Sequence, residues 1–532
     1  MQPVASLPGS PESGSPESAI SEPASSESPS VPPLGLATKF WFGVGQASEG
    51  MKNYAFNAFL IFYYSLVLGL DPALAGLAGA IALVFDAISD PVVGTLSDNL
   101  RHRWGRRHLF MYLAAVPLGV TFYLVWAPPA GLGQLGLFVW MLVWTVAARA
   151  AMTLYHVPHL ALGADLSTDY SERTNIVAWR TFFGVVGFAG VAFGLPLFLF
   201  PLFPAAEGLS PQQNPAVYPV MGMVFGALMA ILIVGSALGT HSRIPHLVPG
   251  SAIREPFSLL RTLSQMREAV SNPSFRALFV GLLIFYVVRG IDASLNIAMG
   301  TYFWEIGEYA VYLQGITGLA VLVGVPVWVP LSRRIDKKRT FIVGISGFGI
   351  LVALMPTLKL IGLFPSMATA PNLYLGLLFG SGAVSGAFVA GPLVVSGSML
   401  ADIADEHEVL EGRRREGIFF GANSFSAKAA SGIGNLAAGL LLSAIAFPLR
   451  AEVGTVDPTT LYQLALLYGP GSLGITLVAL VIMGRYRLTS ARYAEIRAVL
   501  DARIREPHRQ TPVLEERRLP ASEPISRVAP AR

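Results

Sequence analysis

Asp86 and Asp90 lie four residues apart in the run Leu83-Val84-Phe85-Asp86-Ala87-Ile88-Ser89-Asp90-Pro91-Val92-Val93-Gly94, inside an apolar stretch that begins near Ala73. In a helix that spacing sets both carboxylates on one face, roughly 6 Å apart along the axis. One Asp at a bilayer centre costs about 2.5–3.5 kcal/mol on insertion scales. Two like charges side by side cost more, so the pair must find a cation or a proton. Two arrangements supply one. Hard carboxylate oxygens suit a hard cation such as Na⁺, which makes Asp86 and Asp90 the ligands of a coupling ion. Alternatively, a nearby Arg or Lys neutralises the pair and the acids only pack helices.

Other ionisable residues stand in apolar runs. Glu49, Lys52, Asn53 and Asn57 share one face of a first helix, where Glu49 and Lys52 either pair at i,i+3 or face a substrate. Arg149 and His156 are seven residues apart in a fourth helix; Arg149 faces a central cavity or neutralises an acid such as Asp86. Arg289 and Asp292 read as a local i,i+3 pair, and Lys428 stands alone between Ser426 and Ala429-Ala430-Ser431-Gly432.

The elements that must hold these groups are membrane spans. The chain has 532 residues, 53% of them hydrophobic and only 13% charged, against about 25% charged in an average chain. Apolar runs of spanning length recur along it. An all-α membrane protein of about twelve helices in two six-helix halves is expected. Residues 38–240 make the first half and 275–485 the second. Residues 241–274 form a linker in which 256–270 has amphipathic spacing. Residues 1–37, rich in Ser, Pro and Glu, read as a disordered tail without the basic start and apolar core of a signal peptide, and 486–532 as a second polar tail. With no cysteine, disulfides and thiolate metal sites are excluded.

Arg and Lys concentrate in the links after helices 2, 6, 8 and 10 and in the C-terminal tail; the alternate links are poor in them, Lys359 and Arg450 excepted. The positive-inside rule then puts both termini in the cytoplasm, which requires an even number of spans. A membrane enzyme lacks its residues here: no Ser/His/Asp or metal-ligand cluster is visible, and His156 with His159 has no acidic third ligand at metal spacing. A non-transporting sensor leaves the buried acids and Lys428 without a use.

Several stretches carry a family resemblance. Asp86-Ala87-Ile88-Ser89-Asp90-Pro91 is followed by Gly94-Thr95-Leu96-Ser97-Asp98 and Gly105-Arg106-Arg107. Val157-Pro158, Ala161-Leu162, Asp169-Tyr170-Ser171-Glu172-Arg173 and Arg180 come next, and an Asp-rich helix end at 402–408 precedes Arg413-Arg414-Arg415-Glu416-Gly417. Together they resemble the glycoside–pentoside–hexuronide:cation symporters of the major facilitator superfamily, the family of melibiose permease, to which the sodium–lysophosphatidylcholine symporters are related. The resemblance implies a major facilitator fold and secondary transport by alternating access. It places Asp86, Asp90 and Lys428 in the coupling-cation site and gives Arg180 a substrate contact. His156, Arg149, Glu49 and Asn53 join Arg180 as candidate substrate ligands. Asp98, Arg106, Arg107, Asp169, Glu172 and Arg173 are candidate latches of a cytoplasmic gate.

Departures bear on the substrate. His156 stands where melibiose permease has an acid, Glu49-Gly50 replaces its Lys-Asp pair, and Leu160 replaces a sugar-stacking tryptophan. His156-Val157-Pro158 instead resembles the lysolipid carriers. The expected function is symport of a sugar or glycoside with Na⁺ or H⁺ across the cell membrane, with a lysophospholipid or other amphiphile as the alternative cargo. No resident cofactor and no nucleic acid are expected; membrane lipid surrounds a monomer.

Overall fold

The computed structural model describes residues 34–167, 169–204, 208–247, 264, 267–412 and 416–505. Most of the expected tails, and of the linker helix at 256–270, lie outside them.

Twelve long helices follow one another: α1 Leu36–Ile61, α2 Pro72–Asn99, α3 His108–Trp126, α4 Gln134–Asp165, α5 Tyr170–Gly194, α6 Val217–His241, α7 Pro273–Phe303, α8 Tyr309–Ile335, α9 Lys337–Leu360, α10 Pro371–Glu411, α11 Glu416–Ala444 and α12 Pro458–Gly484. A thirteenth, α13 Ser490–Arg505, is polar overall and follows the bundle. Ten of the twelve are long and apolar enough to cross a membrane. The remaining two are α1 and α11, which carry Glu49, Lys52 and Lys428. Many large apolar side chains, such as Val84, Leu113, Leu238 and Val481, face outward, as a lipid-facing surface requires.

Helix starts are written locally. Asp71 caps α2 by accepting from Ala73 N at 2.8 Å and Asn272 caps α7 by accepting from Phe275 N at 2.9 Å, each followed by a proline at the first helical position. Asp169 caps α5 through Glu172 N at 2.8 Å, so α5 begins at Tyr170 rather than near Ile176 as its apolar pattern suggests. At α10 the apolar run ends near Leu400, yet the helix continues to Glu411. Its acids are matched there: Lys337 Nζ meets Asp402 Oδ2 at 2.6 Å, and Tyr493 of α13 donates to Asp405 at 2.8 Å. Burial beside Asp405 pushes the Tyr493 hydroxyl up to about 12, which keeps it a donor.

Helices α1 to α6 pack on one another, as do α7 to α12, and the halves meet chiefly through α2 on α11, with smaller contacts of α1 on α7 and α5 on α8. One end of the bundle holds Leu34 and α13 and is called the tail face below. The opposite end is closed. Gln212 Nε2 donates to Thr301 Oγ1 and to the Gly307 carbonyl, both at 2.9 Å. Gln213 Nε2 reaches the Ala451 carbonyl at 2.8 Å, Val453 N donates to Gly208 O at 3.1 Å, and Arg450 donates to Leu68 O. Four π-helical turns, Phe62–Val67, Leu195–Leu199, Met299–Phe303 and Leu467–Gly471, lie toward this closed end of α1, α5, α7 and α12. Pro196 and Pro470 explain two of them, because a proline withdraws the donor an α turn needs.

Glycines let α2 and α11 touch. A Cβ at Gly439 would sit 2.1 Å from the Pro72 carbonyl oxygen, and one at Gly432 would lie 3.2 Å from Leu83 Cβ. Gly439→Ala must therefore push the halves apart, at an over-packing cost of about 1–3 kcal/mol. A lowered melting temperature in detergent is expected for this variant. Gly397→Ala, at an exposed helix position with nothing within 4 Å, should leave it unchanged.

Candidate functional site

The two acids of α2 meet two partners on α4 in register. Arg149 Nη1 lies 2.6 Å from Asp86 Oδ2, and Thr153 Oγ1 donates to Asp90 Oδ1 at 2.9 Å. Both steps are four residues, so one face of α2 reads one face of α4. Asp86 and Arg149 are 7% and 5% exposed, and the guanidinium stands over the Phe56 ring at 5.5 Å. From the other half, Lys428 Nζ pairs with Asp90 Oδ2. Asp86 Oδ1 is buried without a hydrogen-bond partner. Pro91 also withdraws the amide that would cap the Ala87 carbonyl, which leaves polar oxygen on this side of α2.

Among the described residues, Lys428–Asp90 is the hydrogen bond between halves that lies nearest the tail face. It stands about 14 Å from the tail end of α2 at 1.5 Å per residue.

Beside this set is a cavity of about 480 Å³ between the halves. Its first wall is polar: Gln46, Glu49 and Asn53 of α1 with Arg180 and Thr181 of α5. The wall from α7, α8 and α10 is mostly apolar, with Phe285, Val321, Val389 and Leu393, and carries Tyr286 and Arg289 as its polar members. The far end is closed by the bonds above, so the cavity faces the tail end. Glu49 accepts from Gln46 Nε2, and its Oε2 lies 3.4 Å from His156 Nδ1. Glu49 and Lys52 form no ion pair; Lys52 is 6% exposed and makes no hydrogen bond to a described residue.

The residues singled out from sequence thus fall into three places. Asp86, Asp90, Lys428 and Arg149 form one charged group between α2, α4 and α11. Glu49, Asn53 and Arg180 line the cavity with His156 behind Glu49; Arg149 does not line it. Arg180 stands well inside α5 rather than at its start, and it makes no hydrogen bond or ion pair to a described residue. His159 is occupied in packing: its Nε2 bonds the Phe42 carbonyl at 2.8 Å.

The third place is the tail face. Arg107 Nη2 meets Asp98 Oδ1 at 2.5 Å and its Nη1 donates to Ser97 at 2.7 Å, while Arg106 Nη2 reaches Asp165 Oδ2 at 2.9 Å. Asp169 caps α5; Glu172 accepts from Ser167 Oγ at 2.9 Å and lies 3.5 Å from Lys39, and Arg173 donates to the Ser167 carbonyl at 2.8 Å. All of these bonds stay within the first half. Sequence reasoning missed Thr153 and the cavity position of Arg289. The four-residue step from Arg149 to Thr153, matching that from Asp86 to Asp90, was the available signal for Thr153.

Removing one member of a buried ion pair costs about 3–5 kcal/mol because the other charge is stranded. Arg149→Gln should therefore strongly reduce the folded fraction recovered in detergent. Adding Asp86→Asn to it should restore most of that fraction, as read by size-exclusion profile and thermal midpoint.

Residues 41–490 match the family described as MFS/sugar transport protein. An uncharacterised symporter of Synechocystis sp. is 25% identical, with 90% of this chain and 99% of the relative covered. The isoprimeverose transporter of Lactiplantibacillus pentosus is 25% identical over 76% of this chain and 80% of its own. The sphingosine-1-phosphate transporter MFSD2B of Xenopus tropicalis is 24% identical over 88% and 91%. A helical bundle in two halves, with a charged group and a cavity between them, accords with that match: the chain belongs to the MFS/sugar transport protein family of membrane transporters.

Proposed function

We propose that the protein is a symporter that couples entry of a sugar or glycoside to a cation, Na⁺ or H⁺, by alternating access. Asp86, Asp90 and Lys428 are the coupling set. The observation that carries this reading is the Lys428–Asp90 pair across the halves. A lysine in that place is exchangeable for a small cation. Na⁺ or a proton at Asp90 takes over the balancing charge and frees Lys428, so ion occupancy changes which packing of the halves is stable. By linkage, a substrate that prefers that packing tightens ion binding equally.

The basic links support a cytoplasmic tail face, by the positive-inside rule. On that reading the cavity faces inward and the latches at Asp98, Arg107 and Arg173 belong to the cytoplasmic gate. The protein would work in the cell membrane with both tails cytoplasmic.

One observation favours an amphiphilic cargo as a second reading. The cavity is polar on the α1–α5 wall and largely apolar on the α7–α8–α10 wall, and a relative is named for transport of sphingosine-1-phosphate. Uptake into proteoliposomes under an inward Na⁺ gradient, with isoprimeverose and sphingosine-1-phosphate as parallel labelled probes, separates the two.

Asp90→Asn should abolish the Na⁺ stimulation of uptake while leaving expression and membrane insertion intact; undiminished stimulation sinks the coupling assignment. Arg180→Ala should weaken substrate binding at least tenfold and shift ion affinity only indirectly. If calorimetry finds substrate affinity unaltered, Arg180 is structural.

A further inference from the structure

Arg289 is the residue that the coupling mechanism leaves unused. It belongs to α7, in the half opposite Arg180, and it lines the same cavity. Its position is held from behind. Nη1 lies 2.8 Å from Asp292 Oδ2, the other oxygen of that carboxylate accepts from Tyr468 at 2.7 Å, and the guanidinium rests over Phe348 at 5.2 Å. Asp292 is 7% exposed and both its oxygens are engaged, so it acts as a fixed anchor. A guanidinium has five N–H donors in a planar fork. One is committed to Asp292; the side chain remains 26% exposed and borders the cavity.

The charges around the cavity do not balance. Arg149 is matched by Asp86, Lys428 by Asp90 and Arg289 by Asp292. Glu49 alone stands against Lys52 and Arg180, neither of which makes an ion pair with a described residue. With His156 neutral and Lys428 held on Asp90, one positive charge is left over in a poorly solvated space, and a cation at Asp90 adds to that excess. A neutral cargo leaves the excess uncompensated; an anionic group on the cargo offsets it.

Resting on the transport reading above, we propose that Arg289 is a second substrate anchor and that the cargo carries one anionic group, a carboxylate or a phosphate, gripped between Arg180 and Arg289. The two arginines come from opposite halves, so gripping one group draws α5 and α7 together. The Asp292–Tyr468 backing holds the guanidinium at the cavity edge, and arginine's planar fork suits bidentate binding of carboxylate and phosphate.

The test uses the full chain in proteoliposomes under an inward Na⁺ gradient with two matched pairs of labelled probes: methyl glucuronide against methyl glucoside, and sphingosine-1-phosphate against sphingosine. In at least one pair the anion should enter at least tenfold faster than its neutral or cationic partner, and the pair that does so identifies whether the anion sits on a sugar or on a lipid. The double variant Arg289→Gln with Asp292→Asn strands no charge, so it should fold. It should raise KM for the favoured anion at least tenfold with little change in the maximal rate, and Arg289→Lys should recover part of the loss. Equal or faster entry of the non-anionic partners overturns the anion clamp and leaves symport standing. An unchanged anion KM in the double variant overturns the role of Arg289. Absence of gradient-driven uptake for all four probes overturns this proposal together with the symport reading.

Discussion

Charge pairing across α2, α4 and α11 is the constraint on which the rest of the bundle depends. Two carboxylates on one apolar helix are untenable unless other helices bring cations to them. Arg149 does so from within the same half and is nearly dry; Lys428 does so from the opposite half and is a third exposed. The contrast assigns different jobs to chemically similar pairs. Asp86–Arg149 fixes α2 to α4 inside one rigid half. Asp90–Lys428 spans the boundary where the halves move against each other, and its partial exposure lets water or an ion compete for it.

The closed end is built from other materials. Among the described residues its bonds between halves are made by glutamine side chains and backbone groups, with an arginine donating to a carbonyl. The neutral hydrogen bonds among them are individually worth about 0.5–1.5 kcal/mol and can be exchanged for water as a set. At the tail face, by contrast, ion pairs such as Arg107–Asp98 and Arg106–Asp165 tie elements of the first half to one another.

Much of this was legible in the sequence because membrane burial makes charged residues conspicuous. Recurrent apolar runs, the acidic pair and Lys428 all stand out against a hydrocarbon background, and the alternation of basic links orders them. Helix boundaries were less legible. Asp169 lengthened α5 by a cap, and α10 outran its apolar stretch because Lys337 and Tyr493, distant in sequence, supplied partners for Asp402 and Asp405. Arg149 was readable as a neutraliser or a cavity residue, and only packing chose the former. Arg289 was read as satisfied by its neighbour Asp292, which is so; that one fork can be anchored and still border a cavity is invisible to spacing rules. Gln212 and Gln213 gave no signal, since a polar loop between spans looks the same whether or not it seals an end.

The π turns have a mechanical consequence. Each lodges an extra residue in its helix, and one residue of an α-helix corresponds to about 100° of rotation and 1.5 Å of length. Were a π turn to rewind as α, everything beyond it would swivel by about that angle. In α1 that segment includes Leu68, whose carbonyl meets Arg450, and in α7 it includes the approach to Gly307. The seals at this end thus hang on short axles that can turn without bending the helices behind them. Such a lid can come undone while the charged middle of the bundle keeps its alignment.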